Sequence, residues 1–310
     1  MTITLTPIDQ GILFLVAGGL GVALSRVARS TRYLSAVSFL NIWIALPGIF
    51  FLVYLTRGAL AEDVGIVVFS SVFTLLMLGL LVVATRRMAS EVRGSVILNG
   101  AFVNAINLPF PLLQFLMGTY SYAATFATTT NVIQIVAAKI LQGHFGTGSG
   151  GGAGALLKRA APLIAVGAGV VSHYLIWPTT TPGEVVEDIN VIQNVFIAMI
   201  FVHFGLTLGK SFSASNSHYK LISRPFLTTA LFRILIGPLL AMTLAIPLGE
   251  GSGVYLQMVF EATMPPAIIN TVLAGIYGFD VDSTAKSTAI LTPINTAEAI
   301  AIFYVLRGFW

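Results

Sequence analysis

The chain has no cysteine and very little charge. Without Cys there is no disulfide and no thiolate metal site, and the redox compartment leaves no mark on the sequence. Charged residues are only 9% of the 310, against about a quarter in a soluble domain. HExxH, GxSxG and paired aspartates within apolar stretches are all missing. The nucleophile, base or metal that a membrane enzyme needs is therefore not in evidence, and the reading is a non-enzyme with no cofactor and no metal. The net charge of +4 does not imply nucleic acid, because Lys and Arg sit at the ends of apolar stretches rather than on a soluble patch. The one GxGxxG, Gly146–Gly151, follows no strand and precedes no Lys-Ser/Thr, so it reads as a linker.

What is abundant is apolar surface: 56% of residues and a mean hydropathy of +0.91. Such a chain is an all-α integral membrane protein, because each span must satisfy its own backbone hydrogen bonds. The start, MTITLTPIDQ, lacks a basic leader region, so 11–27 reads as a retained first span and not a cleaved signal. Hydropathy predicts ten spans, at 10–27, 36–56, 64–85, 94–117, 121–142, 159–177, 190–209, 225–248, 253–276 and 286–306, each near the ~20 residues a bilayer requires. Of the 16 Lys and Arg, those from Arg26 to Arg32, Arg86 to Arg93, Lys139 to Arg159, Lys210 to Arg224, and Lys286 fall on one side. Only Arg57 and Arg307 fall on the other, and Arg233 lies inside a span. The positive-inside rule then places both termini outside the cytoplasm.

The two halves repeat. Gly19-Leu-Gly21-Val22 in span 1 matches Gly167-Ala-Gly169-Val170 in span 6. Thr128-x-x-Asn131-x-x-Gln134 in span 5 matches Thr292-x-x-Asn295-x-x-Glu298 in span 10, and spans 4 and 9 share mid-span prolines. Residues 1–142 and 158–310 form two five-span repeats joined by a flexible Gly/Ser linker at 143–157. Five is odd, so the repeats insert in opposite directions, which is the plan of an inverted-repeat transporter.

Spans 4 and 9 carry the strongest functional signal. Asn99, Asn104 and Asn107 lead into Pro109 and Pro111, while Pro265-Pro266 is followed by Asn270 and Thr271. A mid-span proline breaks the helix. The half-helix that follows should start at the proline with free N–H groups and a positive dipole end. Two such ends converging suit a carboxylate oriented by amides; a proline kink with asparagines bonding neighbouring helices is the structural alternative. The polar stripes with Asn131 and Asn295 either line a cavity or bond the spans together. Three ionisable residues lie deep: Arg233 in span 8, Glu261 in span 9 and Glu298 in span 10. They are candidates for carrying a coupling H+ or Na+, or for a structural ion pair between Arg233 and a glutamate. His203 in span 7 is a titrating group or simply a packed one.

At these residues the chain resembles the auxin efflux carrier family, which includes the plant PIN carriers and microbial relatives. Asn104-Ala-Ile-Asn-Leu-Pro109-Phe-Pro111-Leu-Leu is similar to the family's Asn…Gly-x-Pro-Leu-Leu, with Pro109 in place of the glycine. Asn104 falls on the substrate-contacting asparagine and Pro111 on the crossover proline. Ala262-Thr-Met264-Pro265 is similar to the family's Ala-x-x-Pro, making Pro265 the second crossover proline. Asn41…Ala45-Leu-Pro47 and Arg233…Gly237-Pro238-Leu also resemble it.

The resemblance implies the bile-acid-symporter/NhaA-like fold: ten helices in two inverted repeats with broken, crossing helices 4 and 9. It further implies a scaffold of spans 1, 2, 6 and 7, a transport domain of spans 3–5 and 8–10, elevator-type alternating access, a homodimer and a small organic-anion substrate such as auxin or another carboxylate. Two departures stand out. The long cytoplasmic loop of the large plant carriers is reduced to the Gly/Ser linker, and Val64–Thr85 carries no ionisable side chain where some plant members place Asp and Lys. The expectation is a plasma-membrane carrier of an organic anion, directed outward and lying in the lipid bilayer. Its site comprises Asn104, Asn107, Pro109, Pro111, Pro265, Pro266, Asn270, Asn131 and Asn295. The alternative is a sodium-coupled symporter of the bile-acid type with Glu261 and Asn131 near the ion. A receptor on a transporter scaffold is a third class, and substrate flux separates it from the carriers.

Overall fold

A computed structural model describes residues 7–27, 31–148, 153–176, 183–213, 223–249 and 251–308. Among them all regular structure is helical; the one extended pairing is an isolated bridge between Val103 and Pro266. The helices are α1 (Pro7–Val27), α2 (Thr31–Leu40), α3 (Leu46–Arg57), α4 (Glu62–Ala84), α5 (Ser90–Ala101), α6 (Pro109–Met117), α7 (Ser121–Phe145), α8 (Ala153–Ile176), α9 (Gly183–Ser213), α10 (Arg224–Ala230), α11 (Gly237–Ala245), α12 (Gly253–Thr263), α13 (Ile269–Tyr277) and α14 (Val281–Gly308). A π-helical turn at Asn41–Ala45 joins α2 to α3, and another at Leu231–Ile236 joins α10 to α11.

Six of these stretches are long and apolar enough to cross a bilayer: Ser35–Arg57, Glu62–Ala84, Ser121–Phe145, Val185–Lys210, Arg224–Leu248 and Val281–Gly308. The chain is a multi-pass membrane protein. The other four expected spans fall on α1, on α8, and on two interrupted pairs, α5/α6 and α12/α13. The interruptions have a sequence cause. Pro109 has no N–H to donate, and Pro265-Pro266 holds each preceding residue out of the α region.

Without a hydrophobic gain between helices in lipid, association relies on close backbone contact at small residues. The longest such seam runs between α1 and α9. A methyl group on Gly21 would sit against the Val202 carbonyl and 2.7 Å from the Leu206 amide, and one on Gly205 would strike the Gly18 carbonyl. Between α3 and α8, Gly169 plays the same part against the Phe51 carbonyl, at 2.6 Å. Leu15, Val16, Leu75, Ile140, Val195 and Leu239 are exposed, an apolar belt suited to lipid.

The predicted linker is shorter than 143–157. Helix α7 runs to Phe145 and α8 begins at Ala153. Residues 149–152 lie outside the described residues, as do Arg29 and Lys220 from the charge count. The described part does not behave as a free tether. Gly148 N–H donates to the Tyr277 carbonyl at 3.1 Å, and the Gln142 amide donates to the Gly148 carbonyl at 2.7 Å. Gly278, with φ of +72°, ends α13 against this loop. A side chain there would be strained and would collide with it.

Candidate functional site at the crossing of two interrupted helices

Where α5 and α12 end, their chains run extended past one another. Asn104 N–H donates to the Pro265 carbonyl at 2.8 Å, and Ala267 N–H donates to the Phe102 carbonyl at 3.0 Å. Each break thereby satisfies part of the other's backbone, the condition under which irregular chain is tolerated at membrane depth. The carbonyl ends of the two half-helices are then met by side chains. Asn270, fully buried, donates from Nδ2 to the Leu98 and Phe102 carbonyls at 3.2 and 3.1 Å. Its Oδ1 accepts from Gln134 Nε2 at 2.8 Å. At the end of α12, Arg233 Nη1 donates to the Met264 carbonyl at 3.4 Å. Asn295 Nδ2 donates to the Arg233 carbonyl at 3.2 Å and to Glu298 Oε2 at 2.8 Å.

Beside the crossing lies a cavity of about 680 Å³. One wall is the crossing itself, with Asn104 and Asn107 from the first break, Ile268 and Ile269 at the start of α13, and Thr130, Asn131 and Gln134 from α7. Ser38, Asn41 and His203 also line the cavity, and the lining reaches the exposed Lys210. Asn41 Nδ2 and His203 Nδ1 lie 3.0 Å apart, and His203 Nε2 lies 3.3 Å from Ser38 Oγ. Phe73, Phe126, Leu206, Val272 and Leu273 supply much of its apolar surface, beside Thr74 and Thr207. Asn104 lines this cavity with one of its two amide atoms engaged. Its Oδ1 accepts the N–H of Asn107, three residues on, at 3.1 Å as the chain leads into α6, while Nδ2 is buried with no partner. Asn107 Oδ1 is likewise unpartnered.

The structure thus brings Asn104, Asn107 and Asn131 together on the cavity. Pro109 and Pro111 sit in the first turn of α6 and shape the break without lining the cavity. Pro265 and Pro266 differ from expectation: α13 starts at Ile269, and the prolines occupy the extended segment instead. Two consecutive prolines keep residues 264 and 265 extended, which delays helix entry. Asn270 lies beneath the crossing, its side chain engaged by the protein. Asn295, Arg233 and Glu298 form a separate cluster away from the cavity lining. Glu261 is fully buried in α12 with both carboxylate oxygens unpartnered, also away from the lining. Arg233 makes no contact ion pair, since among the described residues the ion pair within 4.0 Å is Arg57–Asp63, but Glu298 acts on its guanidinium through space. Asn295 Nδ2 is the side-chain donor that Glu298 Oε2 accepts.

Sequence reading missed Ser38, Thr130 and Lys210 as lining residues and left His203 undecided. His203 and Asn41 are 162 residues apart, so nothing local links them; the family-like Asn41 was the available signal.

Residues 159–298 match the model of a family described as membrane transport protein. This is the family of auxin efflux carriers and PIN-like transporters. The matched segment begins within α8 and ends within α14, so it contains the second interruption with Pro265, Pro266 and Asn270, and also Arg233 and Asn295. No curated protein matches the chain. The family is one of transporters and not of enzymes, and its match indicates that the chain is a membrane transporter.

Proposed function

We propose that the chain carries a small amphipathic organic monocarboxylate across the plasma membrane by elevator-type alternating access, directed outward. The observation that carries this reading is the buried, unpartnered Asn104 Nδ2 at the wall of a largely apolar cavity. A buried donor left empty costs free energy that a bound acceptor recovers. The carboxylate accepts from Asn104 and lies near the start of α13, whose aligned peptide dipoles favour negative charge. Asn107 and Asn131 orient it; Phe73, Phe126 and Val272 hold its apolar body. Lys210 is the lining cation, and it raises the local anion concentration. One cation fits a monocarboxylate better than a dicarboxylate.

In this reading the chain forms ten spans in two inverted five-span repeats. Helices α1, α2–α3, α8 and α9 are the scaffold that forms the homodimer, and the rest move. The cavity lies at that boundary, with Ser38, Asn41 and His203 on the scaffold side and the crossing on the other. The Lys- and Arg-rich side is cytoplasmic, the termini are outside, and Lys210 marks the inner mouth.

A sodium-coupled organic-anion symporter is the second reading, favoured by the two unpartnered oxygens of Glu261. Flux into proteoliposomes of labelled indole-3-acetate, benzoate, malate and malonate, with a Na+ or pH gradient imposed separately, tests both. Saturable flux of a monocarboxylate without Na+ supports the first reading. Flux that requires Na+ supports the second, and flux of the dicarboxylates alone refutes the substrate class.

A further inference from the structure

The carbonyl ends of the two interrupted helices are treated differently. At α5 the donor is the neutral amide of Asn270, which reaches two carbonyls. At α12 it is the guanidinium of Arg233, fully buried in the π-helical turn. Its Nη1 points at the Met264 carbonyl at 3.4 Å, while Nε and Nη2 have no partner. Among the described residues no carboxylate lies within 4.0 Å of it. Glu298, itself held by Asn295 Nδ2 at 2.8 Å, acts on the guanidinium only through space, so the charge is not consumed by a contact ion pair. Gly237 makes room for it, since a methyl group there would lie 2.8 Å from Nη2. The ends of interrupted membrane helices, with their unwound carbonyls, are where coupled carriers hold Na+ or H+, because the helix dipole is negative there.

We infer that Arg233 is a built-in counter-cation: it supplies at the end of α12 the positive charge that a coupled carrier takes from solution, so the crossing needs no coupling Na+. Arg233 is a positioning residue in this scheme. It neutralises and holds the Met264–Pro265 segment, whose Pro265 carbonyl in turn holds Asn104. The inference rests on the transporter reading, but it has a readout independent of substrate, namely stabilisation of the purified protein by small cations.

The experiment measures the melting temperature of the full chain in detergent, exchanging Na+ for choline at constant ionic strength. Wild type, Arg233→Gln, Arg233→Lys and Gly237→Ala are compared, with guanidinium added as a further arm. Wild type and Arg233→Lys are expected to be indifferent to the exchange. Arg233→Gln is expected to melt lower and to recover by several degrees in Na+ or guanidinium but not in choline. Gly237→Ala, which displaces the guanidinium without removing it, is expected to gain a smaller cation response and keeps the test alive if Arg233→Gln does not fold. Na+-specific stabilisation of the wild type would overturn the inference and move the cation to Glu261. So would indifference of both Arg233→Gln and Gly237→Ala to every cation. If no carboxylate is transported by wild type while these cation responses appear, the transport reading fails and the counter-cation stands.

Discussion

Replacing Asn270 by Ala removes the brace under the crossing. The side chain makes three hydrogen bonds, two to the carbonyls of Leu98 and Phe102 and one from Gln134. Interhelical hydrogen bonds in membranes average about 0.6 kcal/mol and reach about 1.7. The Leu98 and Phe102 carbonyls keep a second partner each, from Phe102 N–H and Ala267 N–H. The Gln134 amide keeps none from Asn270 and is left buried. Three bonds with one orphaned donor give a loss of about 2–4 kcal/mol. At roughly 2–4 °C per kcal/mol for a protein of this size class, the melting temperature falls by roughly 5–15 °C. Asn107→Ala is the comparison: its Oδ1 has no partner, so its loss costs less than about 1 kcal/mol. The assay is thermal unfolding followed by intrinsic fluorescence in one detergent. Equal melting of Asn270→Ala and wild type refutes the brace, and so does an equal loss in Asn107→Ala.

Other perturbations have expected outcomes. Asp63 accepts both Nη atoms of Arg57 at 3.0 Å, the Leu60 N–H at 2.8 Å and the Thr125 hydroxyl. Asp63→Ala therefore lowers stability by about 2–3 kcal/mol, and a melting temperature within a degree of wild type contradicts that. Gly205→Val drives a side chain into the α1 backbone at Gly18; it is expected to abolish the monodisperse peak in size-exclusion chromatography, and a normal profile shows that the seam is not close-packed in the membrane. Lys210→Gln raises KM for an anion several-fold at low salt with kcat little changed, and the difference shrinks as ionic strength screens the charge; a KM that does not move removes Lys210 from the entry path.

The chain's helices were legible because long apolar runs admit few other structures in lipid, and both interruptions were legible because proline announces them. The second was placed a turn too early. Pro265 and Pro266 forbid the helix that a single proline would begin, and only the pairing with residues 102–104 shows where the chain goes instead. Asn104 and Asn270 look alike in sequence, each beside a mid-span proline. One ends with a free amide on the cavity and the other with every polar atom engaged. That difference depends on Gln134, 136 residues from Asn270, which no local pattern records. The charge of Arg233 was legible, but its direction was not: a glutamate was the obvious partner, and a helix-end carbonyl was the one found.

The most direct measurement is flux of labelled monocarboxylates into proteoliposomes for wild type and Asn104→Ala side by side, after both have been shown to melt alike. Loss of saturable flux in Asn104→Ala, with folding intact, is the expected result and assigns the anion to the crossing. Flux that persists unchanged in Asn104→Ala contradicts that assignment and moves the site away from the first interruption.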